Sequence, residues 1–118
     1  MTELQLAKEI AKVLDKKKAI DIQVLGITEQ TIVGDYFVIA SGTSNTHVKS
    51  LADEIDYELG LQGVQPSHIE GKATGWILLD YTSILVHVFT GETRDYYNLE
   101  RLWQDAREID ISDVVTED

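Results

Sequence analysis

Six residues in the carboxyl-terminal half of the chain could carry chemistry or binding: Trp76, Asp80, His87, Tyr96, Tyr97 and Trp103. Their neighbours are mostly apolar, so these side chains are inserted into elements that otherwise resemble core strands and a helix. Tryptophan and tyrosine are enriched at the energetic centres of protein interfaces, and an Asp with a His could belong to a catalytic group. The segment therefore indicates either an active site or a docking surface.

The catalytic interpretation finds little support in residue spacing. A triad could be assembled from Ser41, Asp80 and His87, but no serine lies in the Gly-x-Ser-x-Gly pattern of a nucleophile elbow. His47, His68 and His87 fall on separate predicted elements without metal-ligand spacing. The absence of cysteine excludes disulfides, thiolate metal sites and a cysteine nucleophile. We therefore predict no catalytic activity, no metal and no cofactor.

Gly42, Thr43 and Ser44 lie between a predicted strand and a predicted helix, where helix N–H groups attract anions. Neither the GxxxxGK[ST] nor the GxGxxG fingerprint is present. A two-metal phosphoryl-transfer site would also need convergent carboxylates, and the next predicted strand offers only Glu70. A nucleotide-dependent enzyme remains the less favoured alternative.

Composition limits the class of partner. The chain has 118 residues, which fits one domain, and 21 acidic against 10 basic residues give a net charge of −11. Nucleic-acid binders concentrate basic residues, so we expect a basic protein partner and no direct sequence-specific nucleic-acid binding; solubility alone is the other explanation. The charged amphipathic amino terminus and the lack of a long apolar run predict a cytoplasmic protein without membrane association.

Apolar periodicity predicts an α/β fold, with helices packed on a mixed β-sheet of about five strands. Residues 1–106 should form this domain, and residues 107–118 an acidic tail whose few apolar residues could also dock on it. Thr93 is the expected N-cap of the last helix. The predicted elements are a helix at Thr2–Lys17, strands at Ile20–Leu25 and Tyr36–Ala40, a helix with Val48, Leu51, Ala52, Ile55 and Leu59 in one stripe, an edge strand at Pro66–Glu70, a hairpin of Trp76–Tyr81 with Ile84–Phe89, and a helix carrying Tyr97, Leu99, Leu102, Trp103 and Ala106.

A two-residue turn at Thr82-Ser83 would give this hairpin two different faces. One face is wholly apolar and must be core: Ile77, Leu79, Tyr81, Ile84, Val86 and Val88. The other face combines apolar, aromatic and polar residues: Trp76, Leu78, Asp80, Leu85, His87 and Phe89. On that face Asp80 and His87 either satisfy each other or nearby backbone groups, or meet a partner.

Three blocks of sequence closely resemble the Iojap-like ribosomal silencing factor family. They are DYFVIASGTSNTHVKSLADEI at Asp35–Ile55, EGKATGWILLDYTSILVHVF at Glu70–Phe89 and TRDYYNLERLW at Thr93–Trp103. The similarity extends over roughly Leu4 to Ala106, with the blocks in the family's order and spacing.

The resemblance implies a nucleotidyltransferase-like fold that lacks the catalytic carboxylates. It further implies binding to the large ribosomal subunit through ribosomal protein number fourteen, which blocks joining of the small subunit and represses translation under nutrient limitation; a large-subunit assembly factor is the alternative. A free homodimer is also expected, because an open sheet edge tends to pair with a second copy. The partner-binding residues, combining the family motifs with the mixed hairpin face, would be Trp76, Leu78, Asp80, Leu85, His87, Tyr96, Tyr97 and Glu100.

Overall fold

The computed structural model describes residues 2–26, 36–71, 75–98, 101 and 106–115. Over these ranges the chain forms a mixed six-stranded sheet with three helices, in agreement with the predicted α/β class. None of the described helices has the length and apolar character needed to cross a bilayer. The elements are α1 Glu3–Lys16, β1 Ile20–Gly26, β2 Tyr36–Gly42, α2 Asn45–Leu61, β3 His68–Glu70, β4 Trp76–Asp80, β5 Ile84–Thr90, α3 Gly91–Tyr97 and β6 Arg107–Glu108.

The strand order is β3-β4-β5-β2-β1-β6. Strands β2 and β5 are parallel neighbours, and every other adjacent pair is antiparallel. The long connection from β2 through α2 therefore leads to β3 at the sheet edge, as predicted, and the hairpin β4–β5 fills the space between them. This topology places β4, which carries Trp76, Leu78 and Asp80, next to a short edge strand.

Helices α1 and α2 contact one face of the sheet and form the main core with it. Each helix begins at a side-chain cap: Thr2 accepts from the Gln5 N–H, and Ser44 accepts from the His47 N–H. The predicted apolar stripe of α2 is buried, and so is the apolar hairpin face. The predicted hairpin register is confirmed by the pairs Ile77–Val88 and Leu79–Val86.

Strand β1 is irregular over its first residues. Its register with β2 shifts between Ile20 and Gln23, and Asp21 has a φ of 50°. The shift turns Ile20 outward, where 45% of its surface is exposed, while Val24 is buried in the main core.

The segment after residue 106 contacts the domain. Arg107 and Glu108 form β6, which pairs with β1, and the Ile109 N–H donates to the Val24 carbonyl at 2.8 Å. The predicted boundary at residue 106 thus falls at the start of an edge strand. The apolar residues for which docking was left open do contact the main core: Ile109, Ile111, Val114 and Val115.

Candidate binding groove

A second, smaller apolar cluster forms on the sheet face opposite α1 and α2. Its buried residues are Leu25, Phe37, Ile39, Leu85 and Phe89, and Trp76, Leu78 and Ala106 contact them from its margin. Leu85 and His87 are therefore interior residues, with only 6% of His87 exposed. The hairpin pattern could not predict that these two residues are buried beneath the candidate surface, because their burial depends on apolar residues of β1 and β2.

Trp76 lies half-buried over this cluster, and three contacts define the position of its indole. Its Nε1–H donates to His87 Nδ1 at 3.2 Å. The indole stacks on Phe89 with ring centroids 5.1 Å apart and contacts Tyr97 at 4.6 Å. A buried hydrogen-bond acceptor on β5 and aromatic contacts from β5 and α3 thus restrict the orientation of the tryptophan.

His87 has an environment that favours its neutral form. Phe37 contacts its ring edge-on at 4.9 Å, and Nε2 is buried without a hydrogen-bond partner among the described residues. Burial lowers the pKa of His87 to about 4. Since Nδ1 accepts the Trp76 N–H, the ring proton is assigned to Nε2.

Helix α3 brings the tyrosines to Trp76. Thr90, the last residue of β5, is its N-cap: Thr90 Oγ1 accepts from the Thr93 N–H at 3.3 Å. The prediction that Thr93 caps this helix was therefore wrong, because the helix starts directly at the end of the strand. Tyr97 contacts Trp76, whereas Tyr96 lies at the surface with 81% of its area exposed.

An open groove with a volume of about 620 Å³ lies beside Trp76. Four of the predicted partner-binding residues line it: Trp76, Leu78, Tyr96 and Tyr97. Sequence reasoning missed Glu70, Glu92 and Thr93, which also line it. The pairing of Glu70 with Leu78 across β3 and β4 explains its position, but only the register of a three-residue strand could have revealed it.

Asp80 lies outside the groove. It ends β4, four residues beyond Trp76 and thus about 13 Å along an extended strand. Its Oδ1 accepts the Thr82 N–H at 2.8 Å in the hairpin turn, where Thr82 has a φ of 72°. Asp80 and His87 therefore do not satisfy each other. Glu100, a predicted partner-binding residue, lies outside the described residues, and so do Leu99 and Trp103 of the predicted last helix.

The residues considered for catalysis make separate contacts. Ser41 Oγ accepts from Arg94 Nη1 at 2.9 Å, while His87 and Asp80 contact Trp76 and Thr82 as described. In the described part of the chain, no three metal-ligating side chains come together.

The Gly-Thr-Ser segment has a structural explanation. The Thr43 N–H donates to His47 Nδ1 at 2.9 Å, and His47 Nε2 lies 2.9 Å from the Lys17 carbonyl oxygen. A side chain at Gly42 would come within 3.0 Å of the Val48 backbone nitrogen. These contacts join the start of α2 to the end of α1. The Thr43 N–H, which a bound phosphate would need as a donor, is already bonded to His47.

The fold and groove define a class: an α/β protein built on a mixed sheet, with an open groove lined by aromatic residues at one end of a strand. The model of the family described as ribosomal silencing factor during starvation matches residues 1–118. The chain belongs to this family.

Individual relatives agree with this assignment. The ribosomal silencing factor of Bacillus subtilis is 38% identical over 112 residues, or 94% of this chain and 95% of the relative. A crystal structure from Chromobacterium violaceum has a TM-score of 0.85 and 32% identity, over 88% of each chain. A mouse protein named for mitochondrial assembly of the large ribosomal subunit is 34% identical over 98 residues, covering 80% of this chain and 43% of the mouse protein.

Proposed function

We propose that the protein represses translation by binding ribosomal protein number fourteen on the large ribosomal subunit and blocking the joining of the small subunit. Family membership supports a ribosomal silencing role, since relatives that span nearly the whole chain carry that name. The proposed role is regulatory rather than catalytic, and its site of action is the cytoplasm, where free subunits are found.

The observation that carries the proposal is the aromatic groove around Trp76. Tyr96 and Tyr97 expose large aromatic surfaces next to an indole held by His87 and Phe89. Rigid aromatic side chains supply contact area at a low entropic cost, as in interface hot spots. Docking through this groove would place the acidic protein, of net charge −11, against a basic ribosomal partner.

Two tyrosines give a matched test of this docking surface. Tyr96 is 81% exposed in the groove, whereas Tyr57 is 62% exposed on α2. Tyr96→Ala should weaken binding to purified large subunits by about 1–2 kcal/mol without lowering the melting temperature, while Tyr57→Ala should leave both unchanged. Equal binding by Tyr96→Ala and wild type, measured by sedimentation, would contradict the proposed surface.

Trp76→Ala tests the centre of the groove. Its binding loss should be about 2 kcal/mol or more, but removing the indole also uncovers Phe89 and unpairs His87. Binding and thermal stability therefore need to be measured on the same variant at low temperature. A destabilised variant that still prevents subunit joining would show that Trp76 is a core residue only.

A large-subunit assembly factor is the second candidate, favoured by the name of the mouse relative. The two roles differ in the ribosomal particle that the protein should bind. A silencing factor should bind mature large subunits and prevent joining in a sucrose gradient, whereas an assembly factor should bind only immature particles.

We also propose a homodimer in the absence of ribosomes, formed through the exposed edge strand β3. Light scattering that shows a monomer at high concentration would exclude it.

A further inference from the structure

The groove beside Trp76 combines aromatic walls with acidic groups. Tyr97 lies between the other two rings, 4.6 Å from the centroid of Trp76 and 5.0 Å from that of Tyr96, with the tyrosine rings perpendicular. Glu70 and Glu92 line the same groove, one from β3 and one from the first turn of α3. Among the described residues that line it, none is basic.

Aromatic rings and carboxylates attract the same kind of ligand group. The face of an aromatic ring is negative and attracts a cation within about 6 Å of its centroid, and an adjacent carboxylate adds a charged hydrogen-bond acceptor. An arginine guanidinium satisfies both, because it is planar enough to stack on a ring and presents a fork of N–H donors. An ammonium group is more strongly hydrated and lacks the planar stacking surface.

We propose that this groove binds an arginine side chain of a protein partner, with the guanidinium between the tyrosines and Glu92 and its methylene groups against Leu78. The inference rests on the proposed function and names the chemistry by which the ribosomal partner is recognised. Glu92 makes no ion pair with the described residues, whereas Glu70 contacts His68 at 3.0 Å. As far as the described residues go, Glu92 can therefore accept the guanidinium without giving up an ion pair.

The groove's size and the overall charge support this occupant. A volume of about 620 Å³ lies within the usual range of binding pockets, roughly 300–1,000 Å³. It can hold a long side chain with part of the flanking backbone. A net charge of −11 also attracts a basic segment and repels a nucleic-acid backbone.

A pair of peptides can test the choice of side chain directly. The probe is acetyl-Gly-Leu-Arg-Leu-Gly-amide, and its control replaces arginine with citrulline, which is uncharged and nearly the same shape. The indole N–H resonance of Trp76 reports binding in a titration followed by NMR. We expect the arginine peptide to shift this resonance and the citrulline peptide to bind at least tenfold more weakly. Equal binding of both peptides would overturn the proposal.

Two variants locate the guanidinium. Tyr97→Leu keeps an apolar side chain against Trp76 but removes the ring, and should weaken the arginine peptide about fivefold. Glu92→Gln should weaken it about threefold, as expected for an exposed ion pair. Glu3→Gln is the matched control, because Glu3 is likewise an acid in the first turn of a helix but lies on α1. Wild-type affinity in both groove variants would overturn the assignment.

The ribosomal assay separates this inference from the proposed function. If wild-type protein binds large subunits and Tyr96→Ala does not, while Tyr97→Leu and Glu92→Gln bind as wild type, docking stands and the arginine site is refuted. If the arginine peptide binds selectively but large subunits do not bind, the arginine site stands and the ribosomal function is refuted. A Trp76 signal that shifts with protein concentration and excludes the peptide would instead assign the groove to a second copy, which overturns the proposal.

Discussion

Acidification should destabilise the protein through His87, and the size of this effect follows from the burial of the imidazole. Desolvation lowers the pKa of His87 from 6.5 to about 4 in the folded protein. Below pH 6.5 the unfolded chain therefore binds a proton that the folded chain rejects. The stability associated with neutral His87 is present above pH 6.5 and is lost as the pH falls towards 4.

Between pH 7 and pH 5, this linkage should remove about 2 kcal/mol from the free energy of unfolding. Urea denaturation at both pH values measures it, with His87→Asn as the reference because its amide oxygen can accept the Trp76 N–H without titrating. All other titrating groups are common to both proteins. The loss of stability should thus be greater in wild type by about 2 kcal/mol.

An NMR titration of the imidazole in wild type provides an independent measurement that does not depend on how well the variant folds. It should place the His87 midpoint well below that of an ordinary histidine. The reasoning would be refuted by a midpoint near 6.5, or by the same pH dependence of stability in wild type and His87→Asn. Either result would mean that water reaches the ring in the folded state.

Two further substitutions test the attachment of α3 to the sheet. Gly75→Ala should lower the free energy of unfolding, measured by urea denaturation, by about 1–3 kcal/mol, because the added Cβ would lie 2.5 Å from Thr93 Oγ1. Gly91→Ala is the control and should cause no such loss, because the space around Gly91 is open. Arg94→Met should cost about 2 kcal/mol in the same assay, because it removes a buried charged donor from Ser41 Oγ. A Gly75→Ala protein as stable as wild type, or an unchanged Arg94→Met, would show that α3 can shift without cost.

The sequence was sufficient to predict elements whose signal is periodic. The α2 stripe and the hairpin register follow from 3.6- and two-residue repeats, and the structure confirms both. The N-cap of α3 was misassigned because Thr90 and Thr93 are both plausible caps, and their choice depends on where β5 ends. Strand β6 has only two residues and shows no pattern of its own.

The candidate site was predictable only in part, because a groove is made by several elements at once. The hairpin pattern placed Trp76 and Leu78 on one face, and the structure brings them together with the tyrosines. It could not show that His87 supports the indole from the interior, because that requires the second apolar cluster. It also could not associate Glu92 with the groove, since this depends on the angle at which α3 leaves β5.

The burial of His87 and the exposure of the tyrosines place core residues directly beneath the proposed docking surface. His87 and Phe89 are interior residues, and their contacts restrict the Trp76 indole from beneath. An anchor that is ordered before binding loses less conformational entropy on association than a free side chain does. The same contacts that stabilise the second apolar cluster would therefore also favour binding in the groove. His87 Nδ1 accepts the Trp76 N–H and so contributes both to the stability of the cluster and to the order of the indole. Substitutions at His87 should therefore affect stability and affinity together, whereas substitutions at Tyr96 should affect affinity alone.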